Sequence, residues 1–233
     1  MHTRKYLPLL LGLFSLCANV SAHDDMTTFH AFRLELDAGD NRAEQSVNNW
    51  NLDGWIGRDN NKLWLKSEGS VVRHNTQTSE NWAMYSRNIA TFWDAQAGIR
   101  YDNKPESTAY FVAGLIGLAP YHFETQAHLF SSDEGDISFR LREENDFLFT
   151  QKLILQPYLE LNVFAQDVKA LNTGSGLSDA SVGLQLRYEI TRKIAPYIEM
   201  SYDALYGKTA DMADAQGEST RDSTMTAGIR FLL

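Results

Sequence analysis

Two histidines and a carboxylate recur at alternate positions of one short segment, and they are the side chains best suited to metal chemistry. His122, Glu124 and His128 share even positions within 121–131, whose odd positions are mainly apolar. Alternate side chains of a β-strand point to one face, so a strand here would place all three groups together on that face. Imidazole and carboxylate groups suit Cu(II) or Zn, and the pattern predicts a metal site completed by ligands from neighbouring strands. The alternative is a set of solvated side chains hydrogen-bonded to Arg and Tyr.

A second group of metal-binding side chains lies nearer the start of the chain. As the first mature residue, His23 would offer an amine and an imidazole as a chelate pair, and the Met26 thioether would favour Cu(I). His30 follows shortly after as a third candidate ligand. The alternative is a disordered tail without a metal role.

The first residues have the features of a secretory signal peptide. Arg4 and Lys5 precede an apolar run over 6–20, and small residues lead to an expected cleavage site after Ala22. Cys17 is the only cysteine and lies in this segment, so the mature chain is expected to contain neither disulfides nor thiolate metal sites.

We expect a signal peptide at 1–22, a short periplasmic tail at 23–28 and one outer-membrane domain at 29–233. No apolar run of 18 residues follows the signal, which excludes a transmembrane helix. The hydrophobic fraction of 43% fits a soluble protein or a membrane barrel with a polar lumen. The pattern of residues must therefore decide between these classes.

Period-two alternation of apolar and polar residues runs through the whole mature chain. It predicts twelve strands, at 29–38, 48–58, 61–71, 79–89, 92–103, 107–119, 121–131, 135–148, 151–166, 176–191, 194–206 and 220–233. Several exceed the 9–11 residues that cross a bilayer at a tilt, whereas strands of soluble sheets average about 5–6 residues. We therefore predict an all-β, antiparallel transmembrane barrel, with Pro157 at a bulge or a strand end.

The predicted connections alternate in length, as they do in outer-membrane barrels. Tight turns are expected near 59–61, 90–91, 119–120, 150 and 192–193, and longer loops near 39–47, 72–78, 103–106, 132–134, 167–175 and 207–219. An even number of strands places both termini on the side with short turns, which is the periplasmic side in such barrels.

The charge balance restricts the possible partners. The net charge is −9, and removal of Arg4 and Lys5 with the signal makes the mature chain more acidic still. Nucleic acid is therefore not expected as a partner, whereas cations are favoured, with surface acidity for solubility as the alternative. Charged residues inside the barrel would form ion-pair networks or line a conduction path. The chain contains no G-x-S-x-G, Walker or zinc-protease motif, so we do not expect an enzyme.

Several ordered stretches carry a more specific resemblance. They are WIG at 55–57, NKLWLKSEG at 61–69, YSR at 85–87, FWDAQAGIRYD at 92–102, GLAPY at 117–121, LILQP at 153–157, GSGLSD at 174–179, LRYEI at 186–190 and APY at 195–197. In order and spacing they resemble the copper resistance protein B family. This resemblance implies an outer-membrane protein of a Gram-negative bacterium that binds copper, sequesters it or passes it outward, and works with periplasmic copper-handling proteins.

One difference from the family shifts the expected site of copper contact. Family members often carry a long Met- and His-rich segment before the barrel, and this chain has only the stretch from His23 to His30. The lumen residues His122, Glu124 and His128 thus become the main expected copper ligands. The alternative function is a small passive outer-membrane pore or structural barrel without a metal role.

Overall fold

The structure, a computed structural model, describes residues 28–233. Its strands are β1 (Phe29–Asn41), β2 (Ser46–Arg58), β3 (Asn61–Val72), β4 (Asn75–Ala90), β5 (Trp93–Lys104), β6 (Thr108–Ala119), β7 (Phe123–Ser132), β8 (Ile137–Glu144), β9 (Phe147–Leu148), β10 (Leu153–Phe164), β11 (Gly176–Tyr188), β12 (Ile194–Leu205) and β13 (Arg221–Leu232). One α-helix, α1 (Gly207–Gln216), and two 3-10 turns, Pro120–His122 and Lys169–Leu171, lie in the connections. The predicted signal peptide lies outside the described residues, as does most of the predicted tail.

The strands form one closed antiparallel barrel. Apart from β8 and β9, each strand pairs with its neighbour in the chain, and β1 closes the ring by pairing with β13, for example Leu36 with Ile229. The two-residue β9 continues the line of β8, because both pair with β10. The barrel therefore has twelve strand positions, and the predicted all-β barrel of about twelve strands is confirmed.

The two faces of each strand differ in polarity in the way that the alternation predicts. On β12, Tyr197 points inward and is 4% exposed, whereas Ile198 and Met200 point outward and are 46% and 60% exposed. The buried charged residues, such as Glu35 and Arg230, lie on the inner face. An apolar outer belt around a polar interior is the arrangement of a barrel that spans a lipid bilayer.

The polar stretch at 72–78 is not the long loop that its composition suggests. Arg73 and His74 form a two-residue turn, both with positive φ (49° and 67°), and β4 begins at Asn75. Val72 pairs with Asn75 and Ser70 with Thr78, so the β3–β4 ladder continues through this stretch. Polar residues here occupy strand positions beyond the apolar belt, so polarity alone is a poor indicator of a loop.

The path of β8 and β9 is interrupted opposite Pro157. Residues 145–146 leave the ladder, and the Asn145 N–H donates to the Pro157 carbonyl at 3.2 Å. Proline has no N–H to donate, so regular pairing with β8 cannot pass through it. The register is the same on both sides of the gap, with Tyr158 opposite Glu144 and Leu155 opposite Phe147, so the ladder is interrupted here without the expected bulge.

Two of the long connections pack against each other at one end of the barrel. Lys208 at the start of α1 forms an ion pair with Asp167 at 3.1 Å, and the Gly174 N–H donates to Thr209 Oγ1 at 2.9 Å. The N–H of Ser175 and the neighbouring ammonium group of Lys208 lower the pKa of the Asp167 carboxyl to about 2. Helix α1 occupies part of the stretch that was predicted to be a loop at 207–219.

Both ends of the described chain lie at the barrel end that carries the short connections. The Phe32 N–H donates to the Leu233 carbonyl at 3.1 Å, and Phe29 pairs with Gly57 beside the turn at 59–60. That this end faces the periplasm stays a prediction. Within residues 28–233, no helix has the length and apolar character needed to cross a membrane.

Candidate functional site

A polar cavity of about 400 Å³ occupies the centre of the barrel. Seven carboxylates and four guanidinium groups line it, so the ionisable side chains carry an excess of negative charge. They are Glu35, Asp37, Glu68, Glu80, Glu144, Glu160 and Glu199, and Arg33, Arg140, Arg142 and Arg230. Cations are favoured over anions in such a space.

Ion pairs span the lumen between strands that are far apart in the ring. Arg140 on β8 contacts Glu68 on β3 at 3.1 Å and Glu80 on β4 at 3.0 Å. Arg33 on β1 contacts Glu144 on β8 at 3.4 Å. These bridges divide the interior, and they agree with the predicted ion-pair network.

One side of the Arg140 bridge is filled by a buried luminal cluster, which consists of Trp82, Met84, Tyr110, Val112 and Phe130. Cations lie against its rings. The Arg100 guanidinium is 4.9 Å from the ring centroids of Tyr110 and Phe130, and Lys66 Nζ is 5.1 Å from that of Trp82. Cation–π contacts and ion pairs together stabilise the packing in this part of the lumen.

On the other side, four carboxylates accept hydrogen bonds only from neutral donors. This carboxylate wall consists of Asp37, Asp179, Glu199 and Asp203. Asp37 accepts from Tyr197 Oη and Asn49 Nδ2, each at 2.8 Å, and none of the four forms an ion pair within residues 28–233. Within residues 28–233, no cationic side chain is therefore paired with any of the four.

Glu199 has the same kind of environment as Asp37. The Tyr158 hydroxyl and the Gln185 amide donate to its two oxygens, each at 3.0 Å. Tyr197 and Glu199 share the inner face of β12 and are about 7 Å apart along the strand. Asp37, bonded to Tyr197, thus lies next to Glu199 in the same cavity.

A second cavity of about 420 Å³ lies near the short connections. Trp55, Trp64 and Glu124 are among its lining residues. An ion pair of 2.6 Å joins Lys62 to Asp94 here. Glu124 thus has the predicted inward orientation, close to one mouth of the barrel.

His128 also points into the barrel, as predicted, but its surroundings are unfavourable for a cation. It is 3% exposed, its Nε2 lies 2.8 Å from Gln96 Oε1, and its ring packs edge-on against Trp82 at 5.4 Å. Lys66 and Arg140 lie over the same Trp82 ring. Two positive charges beside the imidazole would repel a copper ion.

The structure does not bring the three predicted lumen ligands together. His122 is exposed and ends the 3-10 turn at a φ of 65°, so its predicted strand position is wrong. Tyr121 and His122 both adopt left-handed conformations in a tight connection, and the ladder therefore starts at Phe123. Glu124 and His128 are four residues apart along β7, which is about 13 Å.

The other predicted ligands are also apart from one another. His30 is exposed and pairs with Ile56 on the outer face, and His23 and Met26 lie outside the described residues. Among residues 28–233, no three His, Cys, Asp or Glu side chains are close enough to hold one metal ion. A copper role for the six predicted residues stays a prediction.

Several residues of the central cavity were not among the sequence-based candidates. Glu35, Asp37, Glu68 and Glu80 lie on β1, β3 and β4, and each has the inward parity of its strand. That parity is visible in the sequence and would have found them. Their separation into paired and unpaired carboxylates is not visible there, because it depends on contacts across the lumen.

Comparison with known proteins links this barrel to one family. The family model described as "CopB: Copper resistance protein B precursor" matches residues 26–233. Copper resistance protein B of Escherichia coli is 41% identical over 200 residues, covering 85% of this chain and 67% of that protein. A copper resistance protein B homolog of Pseudomonas syringae pv. tomato (strain ATCC BAA-871 / DC3000) is 39% identical over 205 residues, covering 87% of this chain and 68% of that protein.

Solved porin structures share the architecture. NanC porin superposes with a TM-score of 0.59 at 14% identity and covers 85% of this chain and 98% of its own. KdgM porin gives a TM-score of 0.54 at 10% identity and covers 86% and 98%. At these identities the likeness shows the fold alone.

Proposed function

Because this chain belongs to the copper resistance protein B family, we propose that its barrel binds copper ions in the lumen as cargo. The protein is located in the outer membrane of a Gram-negative bacterium and has a role in copper resistance. Family and fold favour a non-enzymatic role. The proposed copper path runs along the carboxylate wall and past Glu124.

The carboxylate wall is the observation that carries this proposal. A carboxylate already paired with an arginine attracts a passing cation weakly, whereas Asp37 and Glu199 have only neutral hydrogen-bond donors and line an accessible cavity. Oxygen and imidazole ligands suit Cu(II). Single carboxylates spaced along a wall would hold a copper ion briefly rather than in a closed site, because a closed site needs several donors around one ion.

Copper titration of the folded barrel tests the proposal. Copper retained by the wild type after desalting is measured by elemental analysis and compared with the double variant Asp37→Asn/Glu199→Gln. We expect binding to weaken by at least about tenfold, the scale of effect that follows loss of groups around a metal. Glu143→Gln is the matched control, since Glu143 lies on the outer face and its replacement leaves the lumen unchanged.

The predicted histidine ligands have their own test. The variant His122→Ala/His128→Ala is expected to retain copper less well than the wild type if the imidazoles take part. Equal binding would remove both histidines from the copper site and leave the carboxylates as the ligands. The same titration after deletion of residues 23–30 tests His23, Met26 and His30.

Sequestration and export make opposite predictions for whole cells. Deletion of the gene should raise copper-sensitivity in both cases. Cell-associated copper should rise on deletion if the barrel passes copper outward, and fall if the barrel stores it. Transfer from periplasmic copper-handling proteins, which we propose as partners, would be seen as copper appearing on the barrel after mixing with a loaded donor.

A passive pore is the second candidate, and the porin-like fold favours it. In that case, conductance in planar bilayers would be insensitive to copper, and deletion would not change copper tolerance. Either copper-dependent conductance or copper-sensitive growth would exclude this candidate.

A further inference from the structure

A carboxylate interrupts the apolar outer face of the barrel at Glu143 on β8. Its outward neighbours on the same strand are Phe139 and Leu141, and its own side chain is half-buried. Thr125 on β7, directly opposite, donates its hydroxyl to Glu143 Oε2 at 2.8 Å. Within residues 28–233, Glu143 forms no ion pair.

A groove of about 440 Å³ surrounds this carboxylate. It lies over the interrupted pairing between β8 and β10, where Pro157 forces the ladder apart. Its lining residues are Ala119, Phe123, Glu143, Pro157, Tyr158 and Leu159. The groove is thus mostly apolar, with a single negative group.

Opposite β7, Glu143 lies nearer to the barrel end with short connections than to the other end. Its partner Thr125 is two residues from the start of β7, which is roughly 7 Å along the strand. Charged side chains on the lipid face are tolerated near the interface and become costly towards the bilayer centre. From this level the carboxylate can reach lipid headgroups, while Leu141 and Phe139, which lie farther from this end on the outer face of β8, face the upper acyl chains.

We propose that the groove binds a phospholipid whose headgroup carries a primary ammonium, with phosphatidylethanolamine as the test ligand. The ammonium would donate charge-assisted hydrogen bonds to the Glu143 oxygen that Thr125 does not use. Leu159, which pairs with Glu143, and Leu141 on the side of the bilayer centre would contact the start of one acyl chain. Charge complementarity selects this occupant, because an anionic headgroup would be repelled and a quaternary ammonium has no N–H to donate.

Native mass spectrometry of the detergent-solubilised barrel tests the proposal. The protein is equilibrated with phosphatidylethanolamine, phosphatidylcholine or phosphatidylglycerol of identical acyl chains, and the 1:1 adduct is quantified. We expect at least about fivefold more adduct with phosphatidylethanolamine than with either other lipid. Equal adducts with all three lipids in the wild type would overturn the proposal.

The variant Glu143→Gln separates charge from shape, and Leu159→Ala serves as a groove control that keeps the charge. Glu143→Gln should reduce the amount of phosphatidylethanolamine adduct to that of phosphatidylcholine. Leu159→Ala should reduce the adducts of all three lipids by the same factor. Heat-modifiable gel migration checks that each variant is folded. If folded Glu143→Gln still preferred phosphatidylethanolamine, the proposal would be overturned, and a protein partner would become the alternative occupant of the groove. Because copper is absent, the outcome does not depend on the proposed copper function.

Discussion

Arg140 is a single residue on which the division of the lumen depends. It reaches Glu68, Glu80 and Glu160 from β8, with distances of 3.0 to 3.6 Å. Replacement by Met would leave these carboxylates facing one another without their shared cation. We expect Arg140→Met to destabilise the barrel by about 3–5 kcal/mol, the usual cost of removing one partner of a buried ion pair.

Urea unfolding of the reconstituted barrel, followed by tryptophan fluorescence, measures this loss. Lys208→Met is the control, since its pair with Asp167 is exposed to solvent and should contribute far less to stability. Adding Glu80→Gln to Arg140→Met should recover part of the stability. A loss in Arg140→Met no larger than in Lys208→Met would contradict the bridging role.

Gly114 permits the position of His128. A Cβ at residue 114 would lie 2.4 Å from the Ala127 carbonyl oxygen and 2.5 Å from His128 Cδ2. Backbone cannot move aside cheaply, so Gly114→Ala should cost about 1–3 kcal/mol and displace the imidazole from Gln96. A lower temperature of heat-modifiable migration on gels would show this, and Ala97→Val on the exposed outer face is the control. An unchanged temperature for Gly114→Ala would contradict the close approach.

At the scale of elements, the connection 165–175 is tied to α1 through Asp167. The pKa of Asp167 is lowered to about 2, chiefly by the Ser175 N–H, so the folded loop favours the charged carboxylate. A lowered pKa stabilises the fold above the unfolded-state pKa, near 4, and this contribution disappears as the pH falls through about 2.

Hydrogen exchange of the Ser175 amide, corrected for intrinsic rates, should therefore stay slow from pH 7 down to about 4 and accelerate as the pH approaches 2. Asp167→Asn should make exchange of 165–175 faster at neutral pH. Asp133→Asn, in another exposed connection, should leave it unchanged. Identical exchange in the wild type and Asp167→Asn would rule out this anchor.

At the scale of the whole molecule, the excess of luminal carboxylates predicts the sign of ion selectivity. In planar bilayers with a KCl gradient, the reversal potential should indicate preference for cations. Asp37→Asn/Glu199→Gln should reduce the cation-to-anion permeability ratio by at least about twofold, because it removes two carboxyl groups that have no cationic partner. An anion-selective wild type would contradict the view that the luminal carboxylates determine ion selectivity.

Much of this architecture could be read from the sequence alone, because period-two alternation reports directly which face of a strand meets lipid. All twelve strand positions, the polar lumen and the inward orientation of Glu124 and His128 follow from that parity. Polar residues do not mark a loop or a luminal face where their polarity has another cause. The stretch 72–78 is polar because β4 extends past the apolar belt. Helix α1 packs against the connection 165–175, and the local sequence pattern did not predict this helix.

The arrangement of charges was decided only by the closed barrel. Sequence places Arg140 and Glu80 on inward faces of strands 60 residues apart, but only closure of β13 onto β1 sets them across the lumen from each other. The same closure surrounds His128 with cations and leaves Asp37 and Glu199 with neutral donors. Parity along a strand is a local property of the backbone, whereas the partner that a side chain meets across the lumen depends on the number and stagger of all the strands.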